Sequence, residues 1–260
     1  MTAILRNESK RHQRGALVLT GALAITIGFF LAVFPAMKEE AELIEAAYPD
    51  FMMVLLGFEE LHTIEGFAGG YVYTLVWILF TGIYIGYISA GLIAGDIRSR
   101  KLDLTLANPV SRESVLAQKV TSLWLPLLVL NVGVMATVLV GAVALGEHFD
   151  IEGLFMVHLL GLPYLLVCAG IGVVLSTTID RVGTAQVGAI GAIFMLWLID
   201  GLSELDADFE WIGDFTPSRY YDPSAILVRE EYAFGDAALL LLAFLLLLAI
   251  ATIVFVRRDI

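Results

Sequence analysis

The stretch AALLLLAFLLLLAIATIVFV, residues 237–256, runs without a charged side chain and stops at Arg257 and Arg258. Wound as a helix rising 1.5 Å per residue, it reaches about 30 Å, the thickness of a bilayer's hydrocarbon core. Five more apolar runs lie upstream, near residues 16–36, 69–94, 121–145, 154–178 and 184–200. The fifth, TAQVGAIGAIFMLWLIDG, is the shortest because it meets an acid at Asp200. Hydrophobic residues make up 59% of the chain and the mean hydropathy is +0.85, well above the roughly half-apolar composition of soluble domains. The chain therefore reads as an all-α integral membrane protein, a single six-span domain over residues 1–260. The first run follows basic residues, as a secretory signal does, but it exceeds the apolar length of such a signal and reads as a retained helix.

Charge placement gives the orientation. Arg6, Lys10, Arg11, Arg14, Arg98, Arg100, Lys101, Arg112, Lys119, Arg181, Arg257 and Arg258 fall on one side of a six-span chain, leaving Lys38, Arg219 and Arg229 for the other. Cytoplasmic connections carry the basic excess. Both termini and the connection 95–120 are thus expected in the cytoplasm, with the chain a multi-pass protein of the plasma membrane. The outer segments, 37–68, 146–153 and 201–236, are acidic: MKEEAELIEAAYPD, GEHFDIEG and SELDADFEWIGDF supply much of the net charge of −12. Two readings stay open. Such a surface suits solvation at high salt, as in an extremely halophilic archaeon, where screening shortens self-repulsion; or it forms a vestibule that gathers cations.

Chemistry on the chain itself finds little support. Cys168 is the only cysteine, and His12, His62, His148 and His158 are scattered without metal-ligand spacing. No phosphate loop G-x-x-x-x-G-K-[ST] and no G-x-S-x-G occurs. No catalytic, cofactor or metal residue is assigned, no enzyme activity is expected of this chain, and no nucleic-acid partner is expected. The spans instead carry glycines at close-packing intervals, Gly82 with Gly86 and Gly91 with Gly95, and others at Gly170, Gly172, Gly183, Gly188 and Gly191. Hydroxyls on the second run, Thr74, Thr81, Tyr84, Tyr87 and Ser89, are either packing groups or the lining of a pathway.

The connection 95–120 contains RSRKLDLTLANPVSRESVLAQK, residues 98–119, longer than a simple helix–helix turn requires. Asn108 and Pro109 break one short helix, and Ser111 offers an N-cap for the next, with Glu113 in its first turn. The short helix either rests on anionic headgroups or presents a docking surface.

The segment DLTLANPVSRESVLAQK resembles the cytoplasmic connection of type-2 ATP-binding-cassette transporter permeases, where a TLxxLLxxPxSRxxxxxxK pattern joins spans two and three. The ending FVRRDI is similar to the FxxRD that follows the last span of such subunits. The resemblance implies that residues 96–106 form a coupling helix held in a groove of a separate cytoplasmic ATPase subunit, which binds the ATP and Mg. Leu102, Asp103, Leu104, Pro109, Ser111, Arg112 and Lys119 match the pattern, with Asp96 and Arg98 in the same segment; Arg100 and Lys101 stand where many members carry Gly-Thr. The basic stretch ILRNESKRHQRG takes the place of the family's interfacial helix, or acts only as a topogenic charge cluster. The resemblance further implies pairing with a second copy or a related permease, export by alternating access, and short helices dipping back from the 201–236 connection. A membrane scaffold that docks an ATPase to mature another protein remains an alternative. So does an ion-coupled transporter, against which the lack of buried acids counts.

Overall fold

A computed structural model describes residues 3–258 and is helical almost throughout, with no strand among the described residues. Six helices are long and apolar enough to cross a membrane: Ile4–Glu39, Ile64–Ala90, Arg112–Leu145, Ile151–Thr178, Val182–Ser203 and Phe234–Arg257, here the first to sixth spans. The FxxRD match runs past this range, since Asp259 and Ile260 lie outside the described residues.

The basic N-terminal stretch is not a separate interfacial helix. It forms the opening turns of one unbroken helix, Ala3–Glu39, whose 37 residues reach about 55 Å. That is well beyond the hydrocarbon thickness, so the basic turns project from the membrane without a break.

The second and fourth spans form the interior. In their most apolar windows 67% and 72% of residues are buried, against 17–28% in the other four, which turn leucine, valine and phenylalanine outward as a lipid-facing surface requires. Small residues set the central spacing. A Cβ added at Gly172 of the fourth span would lie 2.8 Å from Ser89 Cβ and 3.0 Å from Ala90 N of the second, so only glycine permits this approach. By contrast, Gly183 and Gly191 of the fifth span meet nothing within 4 Å of such an added atom.

The second span is irregular. Residues Ala68–Thr81 have the wider π winding, which elsewhere appears mostly as single-turn bulges. Hydroxyls follow the widened register: Thr74 Oγ1 donates to the Gly69 carbonyl at 3.0 Å and Thr81 Oγ1 to that of Val76 at 3.3 Å, each five residues back.

Polar contacts identify the two ends of the bundle. At one end Glu8, Asp96, Arg112, Lys119, Asp180 and Arg258 come together. At the other, Lys38 pairs with Glu147 at 2.7 Å, and the short helices Ala41–Ala47, Asp50–Leu56, Glu210–Gly213 and Pro223–Leu227 form a cap. Asp222 starts the last of these, accepting from the amides of Ser224 and Ala225 at 2.9 and 3.0 Å. Ser224 Oγ then donates to the Gly57 carbonyl at 2.6 Å, and Tyr221 Oη to the Val157 carbonyl at 2.7 Å. These bonds stitch the 201–236 connection to the preceding cap segment and the fourth span.

Candidate functional site

The 95–120 connection folds into two short helices, Ala94–Arg98 and Lys101–Leu106, followed by the helix that enters the third span. Between the short helices Arg100 takes φ 53°, the left-handed region that suits glycine. Ser111 caps the third helix as its spacing predicts, its Oγ accepting from the Ser114 amide at 3.2 Å.

The candidate docking residues separate into two layers. Arg98, Arg100, Lys101, Asp103, Pro109 and Ser111 are exposed, and Leu104 is 73% exposed among them. Leu102, Asp96 and Lys119 face inward and present no surface; Leu102 is fully buried in the main core. Arg112 is half-buried and turned away from that surface: it donates to the carbonyls of Phe255 and Val256 at 3.2 and 3.3 Å and to that of Arg258, closing the C-terminal end of the sixth span.

Beneath the surface lies a buried ion cluster that sequence reading missed. Lys119 Nζ sits 2.7 Å from Asp96 Oδ2 and 3.0 Å from Glu8 Oε1. Arg11 stands 3.7 Å from the second oxygen of each carboxylate, and His12 Nε2 lies 3.9 Å from Glu8 Oε2. Two carboxylates thus face two permanent cations, a charge compensation that buried ions require, while Glu8 Oε2 and Asp96 Oδ1, the oxygens toward Arg11, make no hydrogen bond. The cluster joins the first helix, the start of the connection and the entry to the third span. A sequence signal existed, since Glu8 is the one acid in a basic stretch, but its partners are remote along the chain.

At the opposite end a cavity of about 490 Å³ opens between the cap and the second and fifth spans. Phe58, Ile78 and Trp197 supply apolar wall, while Asp200, Ser218 and Arg219 supply polar groups. Arg219 is held by Glu204 and Glu210, both at 2.6 Å, and Arg229 nearby is held by Glu59 and by Asp222 at 2.9 Å. The pairings lift both arginines above the ordinary guanidinium range although burial acts against it. Asp200, at 8% exposure, makes no ion pair within 4 Å among the described residues, so the expected absence of a buried acid in the spans is corrected.

The hydroxyls proposed as a pathway lining do not share a face. Thr74 lines the cavity; Thr81 and Ser89 are fully buried, and both bond carbonyls of their own span, Ser89 to Ile85 at 2.6 Å. Tyr84 is half-buried beside Gly15, and Tyr87 is 41% exposed. Thr74 and Thr81 lie in the widened segment, and Tyr84, Tyr87 and Ser89 in the regular helix Gly82–Ala90 that follows it. A polar contact not foreseen lies deeper: Tyr73 Oη meets His158 Nε2 at 3.1 Å, and His158 Nδ1 meets Asn131 Oδ1 at 3.2 Å, linking spans two, three and four. Its signal was a lone His and a lone Asn inside apolar runs.

Comparison with known families adds an independent finding: a family model described as ABC-2 family transporter protein matches residues 2–260. No curated protein matches the chain.

Proposed function

The chain belongs to the ABC-2 transporter family, and from that premise we propose how this permease subunit works. It is a multi-pass protein of the plasma membrane. In our reading a separate cytoplasmic ATP-binding-cassette ATPase, holding the ATP and Mg, docks on the exposed part of the 95–120 connection, with Leu104 as apolar anchor and Arg98, Arg100 and Lys101 as its basic surround. The partner groove is correspondingly acidic. ATP-driven closure of paired ATPases pushes this surface, and two permeases, this chain with a second copy or a relative, alternate between inward- and outward-open states and export substrate. The energy difference between those states comes from the ATPase.

One observation carries the reading. The exposed layer rests on a buried layer tied to four spans: Lys119 with Asp96 and Glu8, and Arg112 with the end of the sixth span beside Arg258, which itself donates to the Thr177 carbonyl of the fourth at 2.7 Å. A load on Leu104 therefore reaches the spans through packed and charge-paired contacts rather than through a loose loop.

The test is copurification from native membrane in mild detergent, at the salt of the source. Wild type is expected to bring down a soluble ATPase, and Leu104→Asp to lose it while remaining monodisperse. Leu102 is unsuited to this test because it is core. If no ATPase accompanies wild type at any salt, the docking reading fails and an ion-coupled transporter replaces it. If the reconstituted complex hydrolyses ATP yet accelerates no solute movement, the scaffold reading replaces export.

A further inference from the structure

The cavity at the acidic end contains two polar atoms that the fold leaves unsatisfied. Other polar side chains of the lining are engaged: Thr74 with the Gly69 carbonyl, Ser224 with that of Gly57, Tyr221 with that of Val157, Arg219 with Glu204 and Glu210, and Glu59 and Asp222 with Arg229. Asp200 Oδ1 and Ser218 Oγ are buried, neither in a hydrogen bond of normal geometry, on residues each only 8% exposed, and the hydroxyls of Ser218 and Thr216 are the close polar neighbours of the Asp200 carboxylate. Thr216, the other hydroxyl near Asp200, spends its proton on the Gly213 carbonyl at 2.8 Å. A buried unpaired carboxylate oxygen is costly, and one beside a cavity is a place for a ligand to repay that cost.

The surroundings specify the ligand's chemistry. The lining holds four carboxylates; Arg219 pairs with Glu204 and Arg229 with Glu59 and Asp222, which leaves Asp200 as the lining acid without an ion pair, a charge that disfavours anions. No group of three or more His, Cys, Asp or Glu suited to a metal ion exists among the described residues, so a coordinated divalent metal is disfavoured. Trp197 lies three residues before Asp200 on the same helix face and also lines the cavity, bringing an aromatic ring to the same wall. A volume of about 490 Å³ falls within the usual range for small-molecule sites.

We propose that this cavity binds amphipathic organic cations, with Asp200 and Ser218 receiving an ammonium group and Phe58, Ile78 and Trp197 covering the apolar body. The inference deepens the permease reading by naming a ligand class, and it rests on that reading for its biological sense. Its test needs no ATPase, so failure here and failure of ATPase docking are separate results.

The experiment is equilibrium dialysis of the full chain in zwitterionic phosphatidylcholine nanodiscs against radiolabelled 1-adamantylammonium, with empty nanodiscs as background. The neutral 1-adamantanol and the anionic 1-adamantanecarboxylate serve as competitors of the same shape. Saturable binding of the ammonium is expected, weakened at least tenfold in the isosteric Asp200→Asn and at least threefold in Ser218→Ala, with little competition from the alcohol or the carboxylate. Both variants are checked for monodispersity; if Asp200→Asn does not purify, Ser218→Ala decides by the same criterion. Absence of saturable binding, affinity in the tested variant within twofold of wild type, or equal competition by the alcohol overturns the proposal.

Discussion

The ammonium of Lys119 lies 2.7 Å from the carboxylate of Asp96, with 2% and 6% of the two side chains exposed. Removing one partner leaves a buried charge uncompensated, whereas replacing the whole group by apolar residues removes the need for compensation. Lys119→Met is therefore expected to cost about 3–5 kcal/mol and to lower Tm markedly in a detergent melt followed by tryptophan fluorescence. Adding Asp96→Leu and Glu8→Leu recovers most of the loss. A single variant melting with wild type would mean that the cluster does not hold the connection.

Two leucines of the same short helix separate docking from stability. Leu102 is fully buried and Leu104 is 73% exposed. Leu102→Ala should cost about 2–5 kcal/mol, as buried leucine truncations do, while Leu104→Ala stays within about 0.5 kcal/mol. Melting curves of the two variants decide this, and equal losses would contradict the layering.

These two residues also show where sequence reading stops. Apolar run length is a local property, so all six spans were legible, as was the break at Asn108 and Pro109 with the Ser111 cap. Leu102 and Leu104 both matched a family pattern, but positions two apart on a helix point away from each other, and only the packing shows which one turns outward. Glu8, Asp96 and Lys119 are brought together by three separate helices, a relationship that no local window contains. Among the hydroxyls of the second span, Thr81 and Ser89 bond carbonyls of their own helix, as the packing alternative expects, a pairing that residue type alone does not reveal. Asp200 was visible as the acid that ends an apolar run, but the cavity around it is assembled from segments more than a hundred residues apart.

Gly172 and Gly191 should respond oppositely to the same substitution. Alanine at Gly172 must displace the second span, whose Ser89 Cβ would stand 2.8 Å away, and a loss of about 1–3 kcal/mol is expected. Alanine at Gly191 meets nothing within 4 Å and gains up to about 1 kcal/mol of helix propensity. Thermal melts of the two variants at one detergent concentration make the comparison, and a Gly172→Ala protein as stable as wild type would refute the close contact of the second and fourth spans.

Salt should stabilise this protein. The three cations of the acidic end are already engaged, Lys38 with Glu147, Arg219 with Glu204 and Glu210, and Arg229 with Glu59, Asp222 and Glu231. Salt weakens those pairs, but exposed pairs are worth only about 0–1 kcal/mol each. Against this stands a net charge of −12, with exposed Glu39, Glu40, Glu42, Asp206, Asp208 and Glu230 crowded on the same end. Raising salt from about 0.1 M to about 1 M shortens the screening length from about 10 Å to about 3 Å, which removes most repulsion between neighbouring acids. The acids outnumber the pairs, so relief of repulsion wins and Tm rises with KCl. Asp206→Lys combined with Glu40→Lys should flatten the rise by giving the remaining acids opposite charges nearby. A wild-type Tm that is flat or falling over the same range would remove the argument for a source adapted to high salt.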